Sequence, residues 1–129
     1  MTTEQTTRRL VIDRATWRWG GDELNKKFGP TRLLNRKGFK CCLGFDALDC
    51  GTHVKSIRDK VEPIDVATKS RWGSILGLSE WTKVAINLND DDRALPQPKR
   101  EAMMTSLFKS HPMGPVELVF EGEYPEGAL

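Results

Sequence analysis

The sequence lacks the features that would direct a protein through or into a membrane. Residues 1–9 are polar and end in two arginines with no apolar segment behind them, so no secretory signal is predicted. No apolar run approaches the roughly 20 residues that span a bilayer. There are only three cysteines, two of them adjacent, and free thiols are typical of a reducing compartment. The sequence therefore predicts a cytoplasmic protein.

Signatures of the common enzyme classes are also missing. There is no phosphate-binding glycine loop, hydrolase elbow, zinc-protease helix or kinase motif. Cys41, Cys42, Cys50 and His53 are four soft ligands within thirteen residues. Adjacent helical residues point about 100° apart, however, so one metal ion could not collect them from a helix. We predict no catalytic residue, no metal and no cofactor. A cysteine-dependent enzyme acting through Cys41 or Cys42 is a less favoured hypothesis.

What the chain does contain is one segment that is apolar on nearly every side. In residues 41–50, apolar side chains repeat at i, i+4 and i+7 on two adjacent helical faces. A helix that is apolar around most of its circumference is a buried one, and Gly51 supplies a C-terminal stop. We predict a buried central helix over 41–50, with only Asp46 and Asp49 facing water.

Shorter patterns predict the rest of the fold. β-branched or alternating residues predict strands over 9–13 and 116–121, and an Asn-Arg-Lys-Gly turn predicts a hairpin over 31–42. Helical spacing predicts further helices over 53–60, 81–88 and 99–110, whereas 62–78 carries no clear pattern.

These elements together predict an α+β protein. A small, mainly antiparallel sheet, made from the N-terminal strand, the hairpin and the C-terminal strand, packs against the buried central helix and two or three further helices. The length predicts one domain, over 9–121. Residues 1–8 and 122–129 are predicted to be flexible tails.

Positive charge is concentrated just before the central helix, where six basic residues between 26 and 40 occur with no acidic residue among them. Arginine and lysine pair with phosphates and tryptophan faces stack on bases. An exposed basic hairpin with nearby tryptophans is therefore the predicted binding face. Its alternative is a merely solvated turn with the tryptophans in the core. The candidate partner-binding residues are Trp17, Arg18, Trp19, Arg32, Arg36, Lys37, Lys40 and Trp72.

Three segments resemble a group of small uncharacterised proteins encoded by bacteriophages and prophages. They are residues 10–14 followed by Trp17, the Cys-Cys-Leu-Gly-Phe run at 41–45, and Val-Glu-Leu-Val-Phe at 116–120. The resemblance covers about 9–121 and brings no functional residues with it. It implies a setting, namely a phage accessory protein in the bacterial cytoplasm.

Within that setting we expect a non-catalytic accessory protein that binds and antagonises a host factor. The leading partner is a bacterial anti-phage defence component, either an effector protein or its nucleotide signal. This step rests on analogy of setting and not on residues. The alternative is a nucleic-acid-binding regulator that uses the basic hairpin. No membrane partner is expected, and a homo-oligomer is compatible with the sequence.

Overall fold

The computed structural model describes residues 7–18, 31–35, 37–66, 70–90 and 95–124. Of the predicted tails, 1–6 and 125–129 lie outside this part, and Arg8 belongs to the first strand. The elements in chain order are β1 (Arg8–Asp13), α1 (Cys42–Asp49), α2 (Val54–Ile57), a 3-10 turn (Pro63–Val66), α3 (Arg71–Gly77), α4 (Glu80–Asp90), α5 (Gln97–Phe108) and β2 (Val116–Glu121). The predicted central helix, the two strands and the helices corresponding to α4 and α5 are confirmed.

The sheet consists of β1 and β2, and the two strands are parallel. Arg8 pairs with Val116 at one end and Asp13 with Glu121 at the other. Pairing of the first and last strands is confirmed, but the predicted antiparallel direction is wrong. All five described helices lie between the two strands in sequence. The chain therefore has the long crossover that a parallel pair requires, and β2 starts beside the start of β1.

The predicted hairpin over 31–42 is wrong as a pair of strands, although its turn is present. Gly38 N donates to Asn35 O at 3.1 Å, and Gly38 has a φ of 87°, as the sequence predicted. Two backbone hydrogen bonds join the arms, from Asn35 N to Phe39 O at 2.9 Å and from Cys41 N to Arg32 O at 3.1 Å, but the arms form no ladder with each other. Their bridges are instead to other segments, Trp17↔Lys40 and Leu34↔Arg58, and both are parallel. Leu33 and Leu34 are both buried, whereas a half-buried strand would turn one of two neighbours to solvent.

The central helix α1 is buried from Cys42 to Ala47 and packs against β1, α2 and α4. A backbone amide at its N-terminus finds its hydrogen-bond acceptor on another helix. Cys41 at the N-cap makes no side-chain capping bond, and Asn89 Oδ1 at the end of α4 accepts a hydrogen bond from Cys42 N at 3.1 Å. Because the first amides of a helix need such acceptors, α4 fixes where α1 begins.

The observed structure differs from the sequence prediction, or adds to it, in two further segments. Helix α2 ends at Ile57, short of the predicted residue 60, because Arg58 is extended and Asp59 has a φ of 63°. Residues 62–78, which carry no clear pattern, contain the 3-10 turn and α3. Ser70 begins α3 by accepting a hydrogen bond from Gly73 N at 2.9 Å, as an N-cap serine does.

Candidate functional site

The loop before α1, residues 31–41, lies between two other chain segments and is called the basic loop below. On one side, Arg18 N donates to Lys40 O at 2.8 Å. On the other, Leu33 N donates to Lys60 O at 2.7 Å. Three segments that are distant in sequence are therefore hydrogen-bonded side by side, and each of them carries basic residues.

This arrangement enlarges the predicted basic set. Arg32 and Lys37 are exposed, as the sequence predicted, and the structure adds Arg58 and Lys60, which are also exposed. Within the described parts of these three segments, Asp59 is the one acidic residue. We call the resulting region the basic surface, and its cations are Arg18, Arg32, Lys37, Lys40, Arg58 and Lys60.

Two of the six cations are held against aromatic rings. The guanidinium carbon of Arg18 lies 3.8 Å from the centroid of Phe39, and Lys40 Nζ lies 4.7 Å from the centroid of Phe45. Burial lowers the pKa of Lys40. The negative charge of Asp13 acts in the opposite direction but does not cancel this effect. Cation–π contacts restrict both side chains, whereas the other four cations are exposed.

Two of the three predicted tryptophans, Trp17 and Trp72, are core residues. Trp17 and Trp72 are 0% and 2% exposed. Each indole N–H is bonded inside the protein, Trp17 to Asn89 Oδ1 at 2.9 Å and Trp72 to Asp46 Oδ2 at 2.7 Å. An exposed binding role for these two rings is therefore wrong. Their single polar atom has an internal partner, which lets the whole side chain be buried. Trp19 and Arg36 lie outside the described residues.

Asp46, which was predicted to face water, is fully buried. Its Oδ2 accepts from Trp72 at 2.7 Å and contacts His111 Nε2 at 2.6 Å, and its Oδ1 pairs with Arg8 at 2.5 Å. Burial alone would raise the pKa of this carboxyl group. The hydrogen bond from His111 and the charge of Arg8 outweigh that effect and lower it. We call these four residues the Asp46 cluster.

His111 in this cluster has no nitrogen left for proton transfer. Its Nδ1 accepts a hydrogen bond from Met113 N at 3.0 Å, so the ring proton is on Nε2 and is donated to Asp46. The residue is also only 4% exposed. A general base needs a free nitrogen that reaches the substrate. The Asp46–His111 pair therefore joins α1 to the loop after α5 and does not form a catalytic dyad.

The adjacent cysteines are core residues in this structure. Cys41 and Cys42 are 4% and 0% exposed. Burial raises the pKa of Cys41 to about 12 and that of Cys42 well above its usual value. Cys50 is half-buried, and burial raises its pKa to about 11. A nucleophilic cysteine needs a lowered pKa and access, and none of the three has that combination.

The described part of the chain contains neither a metal site nor a membrane-spanning helix. Across the described ranges, no three His, Cys, Asp or Glu side chains are close enough to hold one metal ion. Nor is any described helix both long and apolar enough to cross a membrane. Comparison of the chain with protein-family models, curated proteins and solved structures finds no match.

Proposed function

We propose that this protein is a non-catalytic binding protein that contacts an anionic partner through the basic surface. One observation carries the proposal. Residues 16–18, 31–41 and 58–60 are hydrogen-bonded side by side, and the described parts of these segments carry six cations and one acidic residue, Asp59. Such a concentration of positive charge attracts phosphates and acidic protein surfaces.

The surroundings of the described cysteines and histidines favour a binding role over cysteine catalysis. The thiols of Cys41 and Cys42 are buried with raised pKa values, and both ring nitrogens of His111 are engaged inside the protein. The second histidine, His53, caps α2 by accepting a hydrogen bond from Lys55 N at 3.1 Å. Nothing in these contacts places a base beside a thiol, which cysteine catalysis requires.

The resemblance to phage-encoded proteins gives this binding role its proposed setting. We infer an accessory protein that acts in the bacterial cytoplasm and antagonises a host factor. That factor would be an anti-phage defence component, either an effector protein with an acidic surface or its nucleotide signal. The same six cations also favour one alternative, a regulator that binds nucleic acid through phosphate contacts.

A charge-matched pair of variants tests the proposal. The basic-surface variant replaces Arg32, Lys37, Arg58 and Lys60 with glutamine. The control variant makes the same change in net charge at four exposed cations elsewhere: Arg9, Lys83, Lys99 and Lys109. Each protein is immobilised and used to capture partners from a bacterial host lysate, and each is titrated against fluorescent single-stranded DNA and RNA.

Wild type and control are expected to retain the same partner, and the basic-surface variant is expected to lose it. If the partner is nucleic acid, log K falls linearly with log salt, with a slope set by the number of phosphates contacted, and the slope becomes shallower in the basic-surface variant. Equal retention by both variants would contradict the proposal. So would the absence of any captured partner together with salt-insensitive titrations.

A further inference from the structure

In the described part of the chain, the outer edge of β1 is not paired with a further strand. The sheet consists of β1 and β2 alone. Arg8 N donates to Pro115 O at 3.1 Å, and in a parallel ladder of this register the even-numbered residues of β1 direct their backbone N–H and C=O groups to β2. The backbone groups that point away from β2 therefore belong to Arg9, Val11 and Asp13.

Most of these outward groups have no partner within the described residues. Asp13 O accepts from Thr16 N and Trp17 N at 3.1 and 3.0 Å. The N–H groups of all three edge residues and the C=O groups of Arg9 and Val11 make no hydrogen bond in the same part of the chain. The three side chains are exposed on the solvent face of the sheet, Val11 by 43%. An exposed edge of this kind is a template for another strand.

The residues along this edge are complementary to themselves when two copies run antiparallel. With a two-fold axis at Val11, this side chain lies opposite the partner's Val11, and Arg9 lies opposite the partner's Asp13. A β-branched pair is then flanked on both sides by opposite charges, and such cross-strand pairs stabilise a sheet. Arg9 makes no ion pair within the described residues. Its charge is therefore available for this contact.

The outer edge of β2 lacks this self-complementarity. Glu117 and Glu121 are exposed on the solvent face, and the strand contains no basic residue. Two copies of β2 side by side would bring carboxylates of like charge together, which is unfavourable. The charge pattern therefore favours β1 as the strand that pairs.

We propose that two copies of this chain form a symmetric dimer in which their β1 strands pair antiparallel. The N–H and C=O of Val11 bond reciprocally with the partner's Val11, and Asp13 N donates to the partner's Arg9 O. The two sheets become one continuous sheet in the order β2, β1, β1, β2, through the same surface patch on both copies. The pairing residues include none of the basic surface. This proposal and the proposed function can therefore each fail while the other stands.

Disulfide cross-linking tests the register. In the proposed dimer Val11 and the partner's Val11 form a hydrogen-bonded pair, whose Cα atoms lie about 5.5 Å apart, a separation that a disulfide spans. The matched control for Val11→Cys is Val119→Cys, because Val119 is the register neighbour of Val11 on β2. Across three strand spacings the two copies of residue 119 lie about 14 Å apart and cannot be bridged. Wild type reports any cross-linking through the native thiols, and all three proteins are oxidised alike and analysed on a non-reducing gel.

Sedimentation equilibrium of charge variants tests the cross-strand ion pairs. Arg9→Asp places two carboxylates opposite each other at both ends of the paired segment, and Arg9→Asp/Asp13→Arg restores opposite charges in the reversed order. Arg9→Gln removes the attraction without creating repulsion, so it should dimerise nearly as wild type does, because an exposed ion pair contributes little. Asp13 Oδ1 also accepts from Ala15 N at 2.9 Å, so the melting temperature of each variant is recorded as well.

We expect wild type to dimerise reversibly with a Kd of about 1–100 μM, since pairing of one short strand is at the small end of interface sizes. Arg9→Asp should raise the Kd at least about tenfold because the repulsion occurs twice, and the double variant should return to within about threefold of wild type. Val11→Cys should form a covalent dimer, and Val119→Cys should not.

Three results would overturn the proposal: a monomer at every concentration up to about 1 mM, a dimer that Arg9→Asp leaves as tight as wild type, or a Val11→Cys protein that cross-links no faster than Val119→Cys. If the double variant melts below wild type through loss of the Ala15 contact, the cross-linking comparison decides.

Discussion

Replacement of Gly44 by alanine sets helix propensity against packing. Gly44 is inside α1, where alanine is more favourable than glycine by about 1 kcal/mol. In this structure a Cβ at Gly44 would lie 1.8 Å from Leu33 O and 3.0 Å from Lys40 Cβ. The basic loop crosses α1 at this point with no room for a methyl group. Propensity therefore predicts a more stable protein, and packing predicts a less stable one.

The magnitude follows from what holds Leu33 in place. Real Cβ contacts stay above 3.0 Å, so the Leu33 carbonyl must move by roughly 1.2 Å. Leu33 N is bonded to Lys60 O at 2.7 Å, and the neighbouring Arg32 O accepts from Cys41 N at 3.1 Å. Overpacking costs about 1–3 kcal/mol, and each of these hydrogen bonds contributes about 1 kcal/mol. After subtraction of the propensity gain, we expect Gly44→Ala to lower the free energy of unfolding by about 2–4 kcal/mol.

Urea unfolding followed by circular dichroism measures this difference. The control is Gly38→Ala, because Gly38 has a φ of 87° but a Cβ added there would meet no atom within 4 Å. It should cost only the left-handed backbone penalty, about 1–2 kcal/mol. Gly44→Ala should also weaken partner retention, since it displaces the basic loop without removing a cation. A Gly44→Ala protein as stable as wild type, or more stable, would refute the packing argument.

Three further predictions concern the buried polar groups and the thiols. Asp46→Asn should cost about 2–3 kcal/mol near neutral pH, a value reduced for the partial exposure of Arg8. Because the pKa of Asp46 is lowered in the folded state, its stabilisation is complete above the unfolded pKa of about 3.9 and is lost as the pH falls through the folded value. Urea unfolding across acid pH should give converging curves for the two proteins, and parallel curves would contradict the ion pair. Asn89→Ala removes the oxygen that accepts from Trp17 Nε1 and Cys42 N and should cost about 2–4 kcal/mol in the same assay. A loss under about 0.5 kcal/mol would argue against a structural role for these two hydrogen bonds. In thiol labelling of the folded protein, Cys50 should react slowly, and Cys41 and Cys42 should react only on unfolding. Fast labelling that persists in Cys50→Ser would favour the hypothesis of a cysteine-dependent enzyme.

The helices and strands could largely be predicted because each depends on local periodicity. The apolar surround of 41–50 marks α1, and alternation at 116–121 marks β2. The direction of strand pairing could not be predicted, because alternation is the same whichever way a strand runs. Parallel pairing of Arg8 with Val116 is decided by the helices between them. Nor does the sequence signal that the two arms of the basic loop form bridges to Trp17 and Arg58.

The errors at the site come from polar groups with distant partners. A helix apolar on nearly every side buries whatever lies within it, so the burial of Asp46 was implicit in the prediction for α1. Its partners Arg8, Trp72 and His111 come from three other parts of the chain. Arg58 was missed for a similar reason, since it reaches the basic surface only through the bridge to Leu34.

A two-stranded sheet gives β1 few ladder hydrogen bonds, and two strands alone are marginal in water. The N-terminal segment is instead fastened to three helices by side-chain pairs: Arg8 to Asp46 on α1, Arg14 to Glu101 on α5, and Trp17 to Asn89 on α4. These pairs have fixed donor and acceptor geometry, and each of the three acceptor residues is buried. The last pair lies at Trp17, which also bridges Lys40 of the basic loop. The contacts that hold this N-terminal segment therefore also set the position of the basic surface. A substitution at Asn89 should for this reason weaken partner binding although it removes no cation.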